Sequence, residues 1–180
     1  MATPNEKLAE SLDVLKALQQ GGRRVFRSDD LGRVHRERLV ANGFLQEVMK
    51  GWLISSSPSA HEGESTPWYA SFWEFCARYC NDRFGDEWHL SAEQSLWLHG
   101  ERTVIPDQVV ACSPKGTNHA IGLLLGTSIY DLKVPEMPAA ADLVVRDGLR
   151  TFSPAAARWS GIRLTMPRPM PRSRIRQGAL

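Results

Sequence analysis

Glycine cuts the first third of the chain at short intervals, and that spacing limits what it can build. Gly21-Gly22, Gly32, Gly43 and Gly51 leave stretches of nine, ten and seven residues between them. No long helix or strand fits between such breaks. Ahead of them, residues 5–20 carry Leu8, Leu12, Leu15 and Leu18 at helical spacing, which predicts an amphipathic helix ended by Gly21-Gly22. Ser28 is a good N-cap for a very short helix that begins at Asp29 and breaks at Gly32. Residues 33–42 predict a second short helix, stopped by Gly43. The run FLQEVMKGWLIS predicts two strands joined at Lys50-Gly51. Leu39, Val40, Phe44 and Leu45 are expected to hold this second helix against Leu12, Leu15 and Leu18.

Helix, short helix, second helix, hairpin is the order of a winged helix-turn-helix, expected over residues 1–58. A recognition helix is short and basic at its start, because its first residues meet base edges and phosphates. Here Arg33, His35, Arg36 and Arg38 fall in the first six positions. Lys50 at the hairpin tip would touch backbone phosphate, and Arg23, Arg24 and Arg27 add charge before the short helix. Arginine suits the task because its planar fork binds guanine or phosphate in bidentate fashion. These eight residues form the expected double-stranded DNA contact. The competing reading is a small helical subdomain with a solvated charged face, in which Asp29, Asp30 and Glu37 pair with several of the arginines.

Charge is uneven along the chain. The formal net charge of +2 excludes a globally basic, histone-like protein. Residues 1–60 hold 9 basic and 7 acidic side chains, residues 61–153 hold 7 and 13, and residues 154–180 hold 6 arginines and no acid. The acidic middle would repel DNA and suits a protein partner. The absence of a long apolar run argues against a membrane span. No export signal is readable and the cysteine count is odd, at three, so a reduced cytoplasmic setting is expected.

Residues 59–65 fall in a polar linker of Ser, Pro and Gly. From Thr66-Pro67, read as N-cap and first helical residue, an aromatic helix runs to Gly85 with Trp68, Phe72, Cys76 and Cys80 on one face, joined by Tyr69, Trp73 and Tyr79. Such a stripe reads as core. Ser91 with Gln94 predicts a capping box for a helix that stops at Gly100. The segments QVVACS, AIGLLLG, SIYDLKV and DLVVR predict strands, and Asp147-Gly148 is a two-residue hairpin turn. The expected fold class is therefore α+β: the winged helix, the linker, and a mixed α/β domain over residues 66–157 with an antiparallel sheet. Residues 158–180 are expected to be a basic Pro/Arg tail without order. The abrupt shift in composition near residue 157 would also suit a chain that has left its reading frame.

No catalytic constellation stands out. Cys76 and Cys80 share a helical face, but Cys112 is remote and no histidine completes a metal site. His99 at a helix C-terminus suits the helix dipole. Lys115-Gly116 lacks P-loop spacing. Asp86-Glu87 reads as a solvent-facing turn. No cofactor, no metal and no enzymatic activity are expected.

Two resemblances bear on function. The stretch FRSDDLGRVHRERLVANGFLQEVMKGWLIS resembles the N-terminal winged helix of AbiEi-type antitoxins of bacterial type IV toxin–antitoxin systems, with Leu31, Leu39, Gly43, Leu45 and Gly51 at matching positions. LSAEQSLWLHG is similar to a helix of that family's second domain through Ser91, Leu96, Leu98, His99 and Gly100. VIPDQVVACSP and LRTFSPAAA resemble later elements, so the likeness spans residues 5–157. It implies an autorepressor that neutralises a nucleotidyltransferase toxin. DNA-binding modules of this kind usually reach a useful site size as dimers, so a homodimer goes with the DNA reading. Residues 8–153 also resemble the region ahead of the Fic domain in some large bacterial Fic proteins, through VHRERLV, EVMKGWLI, ESTPWYASFW and LSAEQSLWLHG. That likeness implies a non-catalytic regulatory module. The transferase signature HPFxxGNGR is absent, and His35, His61, His89, His99 and His119 all lack its context.

Overall fold

A computed structural model describes residues 3–58, 64–101 and 104–159. The chain is α+β and divides into two compact units, Met1–Trp88 with Val145–Arg150, and His89–Val144 with Thr151–Leu180.

In the first unit, α1 spans Pro4–Leu18. Thr3 caps it, accepting from the Glu6 N–H at 3.3 Å while its own N–H donates to the Glu6 carboxylate at 2.7 Å. Strand β1 (Val25–Arg27), a one-turn 3-10 segment at Ser28–Asp30, α2 (Arg33–Ala41), β2 (Leu45–Met49) and β3 (Trp52–Ser55) follow. The three strands form an antiparallel sheet in the order β1-β3-β2. Strand β1 was not expected from sequence; three residues become a strand only because Val25, Phe26 and Arg27 pair with Ile54, Leu53 and Trp52. Leu15, Phe26, Leu31, Leu39, Leu45 and Leu53 form the buried core between helices and sheet, with Leu12, Leu18 and Phe44 packed against it. Val40 departs from expectation, since it is exposed.

Helix α3 (Thr66–Phe84), expected to open a second domain, instead packs on β1 and β3. Trp52 of β3 meets Phe75 edge-on at 5.6 Å and Tyr79 at 6.0 Å. Trp68, Phe72, Cys76 and Cys80 are buried as expected, whereas Tyr69 faces solvent. The cap is Ser65 rather than Thr66, and its side chain makes no capping bond. Of the expected linker, residues 59–63 lie outside the described residues.

In the second unit, β4 (His89–Leu90), β5 (Gln108–Ser113), β6 (His119–Gly122) and β7 (Ser128–Lys133) form a sheet in the order β4-β5-β7-β6. An antiparallel sheet was expected. β4–β5 and β6–β7 are antiparallel, but the central pair β5–β7 is parallel. The stretch expected as a strand through Gly126 ends at Gly122 and turns through Leu125, which sits at φ 52°.

Helix α4 (Ala92–His99) is stitched to the sheet by Gln94. Its Nε2 donates to the Gln108 carbonyl at 2.8 Å and its Oε1 accepts from the Val110 N–H at 2.9 Å. Only half of the expected capping box forms: Ser91 accepts from the Gln94 N–H at 3.2 Å, and the glutamine side chain is spent on β5. His99 Nε2 lies 2.7 Å from the Phe152 carbonyl. Strands β8 (Leu143–Arg146) and β9 (Leu149–Phe152) join through Asp147-Gly148, both at positive φ as a tight hairpin requires, and α5 (Pro154–Trp159) follows. The expected disordered tail lies outside the described residues from 160 onward.

Candidate nucleic-acid interface

Helix α2 presents Leu39 to the core and leaves Arg33, Val34, Glu37, Val40 and Ala41 exposed. Beside it stands the β2–β3 hairpin, whose turn carries the exposed Lys50 and Gly51 at φ +87°. Between them lies a groove of about 550 Å³ lined by Arg36, Glu37, Val40, Glu47, Lys50 and Trp52. Ser28 fixes its geometry. The Ser28 N–H donates to the Gly51 carbonyl at 3.0 Å, and the Ser28 carbonyl accepts from Arg36 Nη1 at 3.1 Å. The expected cap at Ser28 is therefore not a side-chain cap. The 3-10 turn begins at Ser28 itself, and Asp30 closes it by accepting from the Arg27 N–H at 2.8 Å.

The eight expected contact residues separate into three groups. Arg36 and Lys50 line the groove, and Arg33 stands on the exposed face of α2 with its side chain 81% accessible. His35 and Arg38 instead turn toward α1. His35 Nδ1 lies 3.0 Å from Ser11 Oγ, and Arg38 donates to Ser11 Oγ at 2.7 Å and to the Lys7 carbonyl. Ser11, fully buried in a helix otherwise sealed by leucines, is the polar hub that receives them.

Arg23, Arg24 and Arg27 are tied within the unit. Arg23 pairs with Asp30, donates to the Val25 carbonyl at 2.9 Å and lies over Phe26. The Arg24 N–H donates to the Glu74 carboxylate at 3.1 Å, and its guanidinium to the Ala70 carbonyl at 3.3 Å. Arg27 pairs with Asp82 at 2.8 Å above the Trp52 ring. These three arginines therefore fasten β1 to the 3-10 turn and to α3.

Two acids temper the groove. Glu37 holds Arg33 Nε at 2.7 Å, and this hydrogen bond raises the arginine's proton affinity and lowers that of the glutamate. Glu47 lines the wall opposite. Sequence reasoning met Glu37 only as a partner for arginine and placed Val40 in the core, and it passed over Glu47 on β2 and the exposed Val34. Chemically the surface can offer two exposed cations, Arg33 and Lys50, flanking an apolar strip.

Among the described residues no group of three His, Cys, Asp or Glu side chains converges as a metal site would require, and no helix is long and apolar enough to cross a membrane. No protein-family model, curated protein or solved structure matches the chain.

Proposed function

We propose that the first unit is a winged helix-turn-helix and that the chain is a DNA-binding, antitoxin-like transcriptional regulator of the AbiEi type. One observation carries the reading: the order helix, strand, single turn, helix, hairpin, closed by the sheet order β1-β3-β2, sets the exposed face of α2 beside the exposed hairpin tip. In this reading α2 enters the major groove. Val34 and Val40 meet thymine methyl groups, and Glu37 accepts from a cytosine amine. Arg33 leaves Glu37 for phosphate, Lys50 takes a second phosphate, and Arg36 holds the turn that aims the hairpin. The surplus of acid in residues 61–153 suits a protein partner, a toxin in the antitoxin reading.

Titration of the full chain against its own upstream duplex tests this. Affinity should fall steeply with salt, and Arg33→Ala and Lys50→Ala should each reduce the logarithmic salt slope by about 1. Absence of any retardation at low salt would remove the regulator reading.

A second reading has its own support. Glu37 and Glu47 balance Arg36 and Lys50 in the groove, and Val34 is 60% exposed. That mixture favours a peptide or protein surface, as in a regulatory module of a Fic-type protein. Tight binding to the product of a neighbouring gene, with no DNA retardation, would select it.

A further inference from the structure

A cavity of about 520 Å³ opens within the second unit, walled by β4, β5 and the proline-rich segment that follows β7. Its volume falls inside the range of small-molecule sites, roughly 300–1,000 Å³. Leu132, Val134, Met137 and Phe152 supply apolar walls, and Lys133 and Glu136 stand exposed at the margin.

His89 lines this cavity and is only 3% exposed. Its Nδ1 lies 2.9 Å from the Leu90 carbonyl oxygen. A carbonyl can only accept, so Nδ1 carries the proton and a neutral ring presents the lone pair at Nε2. Burial lowers the proton affinity of the ring and keeps it neutral. Nε2 has no hydrogen-bond partner among the described residues. The ring is set by Phe152, edge-on at 4.8 Å, and by the antiparallel register that puts Cys112 opposite His89. Cys112 adds no reactive group, since burial pushes its thiol up to about 12.

Nε2 is thus an acceptor at the wall of the open cavity, within reach of a donor that enters it. We propose that this cavity binds a small aromatic molecule bearing one N–H or O–H group, which donates to His89 Nε2 while its ring packs against Phe152 and Met137. Thioether sulfur and aromatic edges both favour a flat ring over an aliphatic chain. The proposal does not depend on DNA binding by the first unit.

Indole and 1-methylindole are matched probes, because the second lacks only the donor. Titrated into the full chain and followed by NMR, indole should shift the methyl signals of Met137 and Val134. It should bind about fivefold more tightly than 1-methylindole, the worth of one net hydrogen bond. Met137→Trp should fill the cavity and abolish binding of both probes. His89→Phe should equalise them. If that variant does not fold, the probe comparison and Met137→Trp still decide. Equal affinity of the two probes for the unaltered chain, no shift at millimolar indole, or undiminished binding by Met137→Trp would each overturn the proposal.

Discussion

The two units are held together by different means. Of the ten polar side chains recorded as buried among the described residues, the first unit contains two, Ser11 and Ser71, and the second contains eight, including His89, Gln94, Asp131 and Thr151. The first unit buries leucine and aromatic rings and keeps its charges at the rim, where they bind across elements. The second carries hydrogen bonds through its interior: Gln94 to β5, and Asp131 to Thr117 at 2.9 Å and to the His119 N–H at 2.7 Å. Apolar burial is non-directional and tolerates repacking, whereas a buried polar group has a full penalty when its partner is lost. The first unit should thus fail by cavity formation, and the second by loss of single bonds.

Truncation in the first core should give the largest effect. Phe26 is fully buried between Leu15, Leu39 and Leu53. Phe26→Ala is expected to cost about 3–5 kcal/mol, read by urea unfolding. In the second unit, Gln94→Leu keeps the volume but strands the Val110 N–H and the Gln108 carbonyl, and should cost about 2–3 kcal/mol. A loss below 0.5 kcal/mol for Gln94→Leu, on the order of a surface change, would erase the contrast between the units.

This contrast explains what the sequence made legible. Helical spacing of Leu12 and Leu15, the aromatic face of α3, and the hairpins at Lys50-Gly51 and Asp147-Gly148 are local signals, and each element forms where it was expected. What was missed depends on distant residues. Strand β1 exists through β3; the parallel β5–β7 pair needs residues 20 apart in register. The arginines were visible as charge, and so were the nearby partners Asp30 and Glu37; the distant partners were not, since Arg27 reaches Asp82 and Arg24 reaches Glu74, 55 and 50 residues away. Of the candidate interface, sequence therefore located the helix and the hairpin tip. It could not separate the exposed Arg33 and Lys50 from Arg23, Arg24 and Arg27, which the fold consumes.

A smaller effect should come from His89, and it bears on the polar interior directly. Burial lowers the pKa of His89 below the ordinary histidine value of about 6.5. Between the lowered value and 6.5 the unfolded chain binds a proton that the folded chain refuses, so stability rises with pH across that window. Acidification below 6.5 should progressively remove that stability. The neighbouring Cys112 stays neutral there, and the other charged side chains that line the cavity are Lys133, Glu136 and Asp142. In His89→Phe the slope of stability against pH should flatten over this window. An unchanged slope would assign acid sensitivity to other groups.

The smallest effect on stability, and the sharpest test of the first unit's rim, should come from Arg33. Its pair with Glu37 is an exposed i,i+4 contact with arginine on the N-terminal side, the weaker orientation on a helix. Arg33→Ala should therefore leave the unfolding midpoint essentially unchanged. Arg27→Ala is the contrasting variant, because it removes a pair to Asp82 and a cation held 4.9 Å above Trp52. It should destabilise the unit by about 1 kcal/mol more than Arg33→Ala does. If DNA binding is real, the ranking must invert: Arg33→Ala should weaken binding and lower the salt slope, while Arg27→Ala should weaken binding only as far as it unfolds the protein. Parallel changes in stability and binding for both variants would mean that no arginine of this segment is reserved for a partner.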